Sequence, residues 1–373
     1  MTAAGGERTY CIVTGGGTAG HVLPALAIAR ALVARGHAAS TIRYVGAERG
    51  LEAELGPASG FATTLLPGRG IQRRLTLENV GALWGLAVGF VRALGLVRRS
   101  RPAVVVAVGG YASVAVALAA RVWRVPVVVA EQNAVPGAAN RLIARFARAA
   151  AVSFEGTDLP RAVVTGNPVR PEVVAAASAD RAAARAAFGA DGRSVVLVVG
   201  GSLGARRIND AVRDALDAWA GRHDLLVHHV VGARDWDGVA AAVGTRAAGS
   251  EAYRPVRYEH DMATALAAAD LAVCRSGSGT CFELATVGLP AVLVPSPHVT
   301  ADQQTANARR LVEAGAAVLV PDAQLDGARL VAEVDALLAD PARRAAMSRA
   351  ARAWARPDAA DAVAALVESH ARR

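Results

Sequence analysis

The stretch Tyr10-Cys11-Ile12-Val13-Thr14-Gly15-Gly16-Gly17-Thr18-Ala19-Gly20-His21-Val22 passes from a short apolar run through glycines into an Ala- and Leu-rich segment. Tyr10–Thr14 reads as a buried strand, Gly15–Gly20 as a turn, and Val22–Arg35 as a helix closed by Gly36. Strand, glycine turn and helix in that order are the opening unit of a parallel α/β sheet. The glycines let backbone N–H groups approach a phosphate, and the helix start favours negative charge. The same residues fit G-x-G-x-x-G literally, so a dinucleotide site and a tight turn without a ligand both stay open.

Outward from this stretch the pattern repeats. Thr41–Val45, Ala103–Val108, Val125–Ala130 and Ala162–Thr165 read as further strands, several of them β-branched runs without alternation, as expected for strands covered on both faces. The pattern then restarts: Ser194–Val199 is a strand, Gly200–Gly204 a turn and Ile208–Ala220 a helix, followed by strands at Leu225–Val231, Leu271–Cys274, Ala291–Val294 and Ala317–Val320. The expected fold is two tandem Rossmann-like doubly wound α/β domains with a cleft between them. The boundary is expected near Pro168–Ala177, giving residues 1–168 and 169–356. A tail helix, Pro357–Ala371, carries one apolar stripe that must pack on something.

At 373 residues the chain suits about two domains. Its formal charge of +9 comes from 41 basic residues, all of them Arg, whose guanidinium fork matches phosphate and carboxylate oxygens. Such a surplus suits a phosphorylated substrate, an anionic membrane surface or a nucleic acid. Aromatic residues at 4% leave few stacking platforms, which argues against nucleic acid. Cys11, Cys274 and Cys281 form no CxxC pair or ligand set, so free thiols in a reducing compartment and no metal are expected. The polar residues 1–8 do not read as a signal peptide, which places the expected location on the cytosolic side.

Further motifs stand at strand ends. Gly109-Gly110-Tyr111 follows a buried strand and should emerge beside the first turn. Gly200-Gly201-Ser202-Leu203-Gly204 repeats the phosphate-type loop in the second half, which a nicotinamide enzyme does not need. In Arg275-Ser276-Gly277-Ser278-Gly279-Thr280-Cys281-Phe282-Glu283 a loop of amides and hydroxyls opens a helix. Glu283 is expected in its first turn, either taking ribose hydroxyls or completing a capping box with Ser278 or Thr280. Gln303-Gln304 lies on another loop-to-helix edge and can read sugar hydroxyls by donor–acceptor pairs.

These segments, with Glu131-Gln132-Asn133 and Thr165-Gly166-Asn167-Pro168-Val169-Arg170, resemble in order and over nearly the whole chain the MurG-type undecaprenyldiphospho-muramoylpentapeptide β-N-acetylglucosaminyltransferases of peptidoglycan synthesis. The resemblance implies the glycosyltransferase B fold, with the tail helix crossing back to the first domain. It also implies UDP-N-acetylglucosamine as donor, an undecaprenyl-linked muramyl-peptide as acceptor, no cofactor and no catalytic metal. By it, Ser202, Ser278, Gly279 and Thr280 contact the diphosphate, with Cys281 and Phe282 in the same donor-binding stretch. Glu283 takes the ribose, and Gln303 and Gln304 read the sugar. Asn133 and Arg170 reach the donor, and Thr18, Ala19 and Gly20 close over it. The turns at Gly15–Gly20 and Gly109, Gly110 and Tyr111 cradle the acceptor's pyrophosphate. Two residues depart from the family pattern: Ala19 replaces a glycine, and Glu259 replaces an apolar neighbour of the uracil.

The implied reaction is an inverting displacement in which a muramyl 4-hydroxyl attacks the anomeric carbon and UDP leaves. His21 is the expected general base, with Glu131 in reserve. Gly81–Val97 is an apolar run containing Arg92 and flanked by Arg73, Arg74, Arg98, Arg99 and Arg101. It is too short to span a bilayer and reads either as an interfacial docking patch or as a core helix, the enzyme being peripheral to the membrane in the first case. Another B-fold transferase acting on a glycolipid or natural product, a non-enzymatic nucleotide binder and a dinucleotide oxidoreductase remain alternatives.

Overall fold

The computed structural model describes residues 8–48, 50, 52–67, 78–190, 192–201, 204–246 and 252–372, without side chains at 19, 78–84 and 242–246. Ser202, Arg73 and Arg74 lie outside these residues. The chain divides into two compact units, Met1–Arg170 with Arg356–Arg373, and Pro171–Ala355.

In chain order the first unit runs β1 (Cys11–Gly15), α1 (Ala19–Ala34), β2 (Ile42–Ala47), α2 (Glu52–Ala58), β3 (Ala62–Leu66), α3 (Glu78–Ser100), β4 (Val104–Gly109), α4 (Tyr111–Val122), β5 (Val127–Glu131), α5 (Ala138–Ala144), β6 (Ala149–Val152) and β7 (Ala162–Val164). The second runs α6 (Pro171–Ala177), α7 (Arg181–Phe188), β8 (Ser194–Val199), α8 (Arg206–Trp219), β9 (Leu225–Val230), α9 (Trp236–Arg246), β10 (Tyr253–Val256), α10 (Met262–Ala268), β11 (Leu271–Cys274), α11 (Ser278–Val287), β12 (Ala291–Leu293), α12 (Gln303–Glu313), β13 (Ala317–Leu319), α13 (Gly327–Leu338) and α14 (Pro341–Trp354). The last helix, α15 (Ala359–His370), belongs to the first unit.

The first sheet has the order β3-β2-β1-β4-β5-β6-β7 and the second β10-β9-β8-β11-β12-β13, with parallel pairing throughout. In each sheet the strand order reverses beside the unit's first strand. The carboxyl ends of β1 and β4 are therefore neighbours, as are those of β8 and β11, and α/β proteins bind ligands at such switch points. The apolar runs expected as strands include the central ones, fully buried at Ile12, Val105, Val128, Val196 and Val273, while Ala162–Val164 and Ala317–Leu319 form edges. Three strands escape the apolar-run pattern. β3 is a Thr-containing edge strand, β6 is Ala-Ala-Ala-Val, and β10 carries Pro255 on an edge, where no ladder donor is missed.

The tail helix packs its stripe into the first unit's core. Val363, Ala364 and Val367 are buried in one cluster with Val22, Ile28 and Val106. Full burial of each valine contributes roughly 1.5–3 kcal/mol. Arg35 adds bonds to Asp361 at 2.8 Å and Glu368 at 2.9 Å, exposed pairs that contribute far less.

Candidate active site

The turn after β1 and the turn after β4 meet backbone to backbone. Gly16 donates its N–H to the Gly109 carbonyl at 3.2 Å. Gly110 has φ of 83°, and a β-carbon on it would collide with the Gly16 carbonyl. Only glycine combines that backbone with that approach. Ser113, fully buried in α4, ties the turns further: its hydroxyl donates to the Thr14 carbonyl at 2.7 Å and accepts from Gly109 N–H at 3.1 Å.

His21 sits in the first turns of α1 against this junction. Its Nδ1 lies 3.0 Å from the Gly16 carbonyl oxygen. A carbonyl oxygen only accepts, so Nδ1 carries the proton and the lone pair of the neutral ring is on Nε2. Burial pushes the His21 pKa below the ordinary histidine value, against the opposing pull of Glu131, the Gly16 carbonyl and Glu52. The ring is thus held neutral with a free basic nitrogen. Gly17, Thr18 and Gly20 are exposed beside it, and the Thr18 hydroxyl lies 3.3 Å from Nδ1. Ala19 opens α1 as a helical residue, so the family's glycine is not required there for a left-handed backbone.

Glu131 ends β5 buried, with its lone pairs filled. Oε1 accepts from Asn133 N–H at 2.9 Å and Asn133 Nδ2 at 3.3 Å, while Oε2 accepts from Gly137 N–H at 3.0 Å and Asn140 Nδ2 at 2.9 Å. It clamps the loop carrying Asn133, and would have to give up one of these bonds to act as the reserve base. The Tyr111 hydroxyl donates to the Leu66 carbonyl at 2.7 Å, tying α4 to the end of β3. Arg170, half-buried, ends the unit's main segment.

In the second unit, a cavity of about 840 Å³ opens over the ends of β8 and β11. Gly200, Gly201 and Gly204 line it from the β8 turn, Gly277 and Thr280 from the start of α11, and Gln304 from α12. Gln304 is fixed at both ends: its side-chain oxygen accepts from Ser296 N–H at 2.8 Å, and its carbonyl accepts from the buried Ser276 hydroxyl at 2.8 Å. Arg206, Arg207, Arg234 and Arg275 also line the cavity. Arg275 is held by Asp322 at 2.5 Å and by the Val294 carbonyl at 3.0 Å. Arg206 and Arg207 were passed over in the sequence, although they open the helix just past the glycine turn; Arg234, in the loop after β9, belongs to no motif.

Other expected donor residues fall differently. The N-cap of α11 is Gly277, which has no side chain to cap with, so there is no capping box, and Glu283 stands in the second turn, half-buried. Ser278 is buried, Gly279 half-buried, and Gln303 half-buried beside Gln304. Cys281 and Phe282 are buried in the core, Phe282 against Trp354 with ring centroids 4.6 Å apart, so any part they take is through backbone. The Glu259 side chain is engaged within the protein, its Oε2 2.8 Å from His228 Nε2 and its Oε1 accepting from Asp261 N–H at 2.8 Å, which leaves its backbone for any contact with the uracil.

The glycosyltransferase family 28 N-terminal domain matches residues 11–152, and the family's C-terminal domain matches residues 195–363. A UDP-N-acetylglucosamine–N-acetylmuramyl-(pentapeptide) pyrophosphoryl-undecaprenol N-acetylglucosamine transferase of Desulforudis audaxviator is 40% identical over 368 residues, covering 96% of this chain and 97% of its own. A protein of the same name from Acidothermus cellulolyticus is 43% identical over 366 residues, covering 97% and 98%. Among solved structures, Acinetobacter baumannii MurG superposes with a TM-score of 0.75 at 28% identity, covering 96% of this chain and 99% of that one. With both family domains matched in order and relatives aligned nearly end to end, the chain belongs to glycosyltransferase family 28, among the UDP-N-acetylglucosamine–N-acetylmuramyl-(pentapeptide) pyrophosphoryl-undecaprenol N-acetylglucosamine transferases.

Proposed function

We propose that this chain transfers N-acetylglucosamine from UDP-N-acetylglucosamine to the 4-hydroxyl of an undecaprenyl-pyrophosphate-linked N-acetylmuramoyl-peptide, with inversion and without a metal. The acceptor belongs to the first unit and the donor to the second. The observation that carries the donor half is the 840 Å³ cavity, where a glycine turn, the amides opening α11 and four arginines converge. Backbone donors and guanidinium groups placed where charge develops stabilise a departing diphosphate. Gln303 and Gln304 read the sugar, and Glu283 takes the ribose. The loop Ser278–Thr280 meets the diphosphate through its amides and hydroxyls, and the family resemblance assigns Ser202 to the same group. In the first unit, His21 Nε2 takes the proton of the attacking hydroxyl while Nδ1 stays bonded to Gly16.

The first unit also docks on an anionic membrane surface through α3 and the ends of α4 and α5. One face of α3 is core, with Ala93 and Val97 buried, while Val91, Arg92, Arg98 and Arg99 are exposed. No described helix is long and apolar enough to cross a membrane. The experiment that tests the function is transfer of labelled N-acetylglucosamine from its UDP conjugate onto a short-chain analogue of the lipid-linked acceptor. Thermal stabilisation by UDP but not by NAD accompanies it; stabilisation by NAD and no transfer overturns the reading.

A further inference from the structure

Glu52, the first residue of α2, is fully buried, and no motif singles it out in the sequence. Its Oε1 accepts the N–H of Gly17 at 2.7 Å, and its Oε2 has no hydrogen-bond partner among the described residues. Glycines make the space around it. A β-carbon on Gly16 would collide with Oε1, one on Gly46 would stand 2.9 Å from the Glu52 β-carbon, and one on Gly50 would stand 2.7 Å from Oε2. A half-satisfied buried carboxyl group is costly, and a site serving only packing is better filled by an apolar side chain.

The N–H of Gly17 belongs to the same planar peptide as the C=O of Gly16, the group that accepts from His21 Nδ1. One peptide unit therefore stands between a carboxyl group and an imidazole, its donor end on Glu52 and its acceptor end on His21. Hydrogen bonds in such a chain polarise one another, so an acceptor on the N–H makes the C=O a stronger acceptor. We propose that Glu52 is a positioning residue for the transfer reaction, orienting His21 through the Gly16–Gly17 peptide as the carboxylate of a catalytic triad orients its histidine directly. This rests on the reading of His21 as the base. The other charged group acting on the ring is Glu131, while Gly16, Thr18 and Gly109 face it uncharged.

The test compares Glu52→Gln, which keeps size and an acceptor for Gly17, with Glu52→Ala. Glu52→Ala lowers kcat by about 10- to 100-fold with donor KM unchanged, and Glu52→Gln recovers part of the loss. The His21 imidazole, identified in NMR spectra by the signal missing from His21→Ala, titrates at lower pH in Glu52→Gln than in the parent. In a His21→Ala background, Glu52→Gln costs nothing further. Multiplicative losses in that background, or an unmoved His21 titration in folded Glu52→Gln, overturn the proposal. A His21→Ala loss below tenfold overturns the base assignment instead, and the titration still reports whether Glu52 and His21 are coupled.

Discussion

The imidazole of His21 lies so close to Gly109 that a β-carbon there would stand 2.8 Å from both Cδ2 and Nε2 of the ring. Gly109 also has φ of 127°, a conformation that side chains rarely adopt. Gly109→Ala should therefore push the ring off its position and lower kcat by roughly 10²-fold, as expected when a catalytic group shifts by about 1 Å. Donor KM should stay near the parent's, because the proposed donor site lies in the second unit. Kinetics on the folded variant check this; a raised donor KM at constant kcat would contradict it.

His21→Ala removes the free Nε2 and should lower kcat by about 10²–10⁴-fold. UDP binding, followed by calorimetry, should survive. With the neutral ring as the proposed active form and burial lowering its pKa, activity should hold further into mildly acidic solution than an ordinary histidine would allow, and fall only below pH 6.5. An acid limb lying above 6.5 would place the titrating group elsewhere.

Glu283→Ala should raise donor KM with a smaller change in kcat, because the proposed ribose contacts would be made in ground and transition states alike. The move of Glu283 from first to second turn leaves this expectation in place but removes the capping-box explanation: Gly277 offers no side chain for that motif. Unchanged donor KM in a folded variant would refute the ribose assignment.

Strand–glycine–helix units were legible in the sequence because buried parallel strands are continuous apolar runs, as in Val104–Gly109, and glycine turns follow them. β6 was not, since three alanines carry no strand signal and are placed there by burial between neighbours. Glu52 and Arg234 were illegible for another reason. Their significance lies in what folding brings beside them, a peptide 35 residues away for Glu52 and a cavity shared with the β8 and β11 loops for Arg234. The bonds of Glu131 were illegible as well, because only the folded loop brings its four donors onto the carboxylate.

Acid should weaken the second unit through His229. This fully buried ring has Nε2 3.0 Å from Asn209 Oδ1 and Nδ1 2.8 Å from the Tyr253 hydroxyl, and burial lowers its pKa from 6.5 to about 3, with neighbouring His228 adding to the fall. A folded-state pKa below the unfolded one means the unfolded chain takes up the proton first. Stability is then full above pH 6.5 and is lost as pH falls from there towards 3, by up to about 1.4 kcal/mol per pH unit. His229→Gln keeps hydrogen-bonding capacity without titrating and should flatten the fall in melting temperature between pH 6.5 and 5. Parallel curves for variant and parent would count against His229 as the source.

The membrane-docking reading rests on a cluster of cations that form no ion pair among the described residues. A cavity of about 510 Å³ at the amino edge of the first sheet is lined by Arg121, Arg124, Arg145, Arg148 and Arg161, and no acidic residue lines it. Arg161 is spent on the Ala144 carbonyl at 2.6 Å and Arg121 stacks on Phe146 with its guanidinium 5.0 Å from the ring centroid, but Arg124, Arg145 and Arg148 are exposed. Beside them Arg98 lies 5.7 Å over Trp123, and Val91 and Val122 are exposed by 66% and 58%, enough to offer an apolar footing. Each arginine near an anionic surface contributes roughly 1 kcal/mol, screened by salt, whereas the apolar contact is not screened. Replacing Arg98, Arg99, Arg124 and Arg148 by Gln should cut co-sedimentation with phosphatidylglycerol vesicles at low salt, and Val91→Ser should lower the binding that persists at high salt. Transfer to a short-chain soluble acceptor should stay near the parent's, because these residues lie away from the carboxyl edge that carries His21. Vesicle binding equal to the parent's in the quadruple variant would mean that this face does not dock the enzyme.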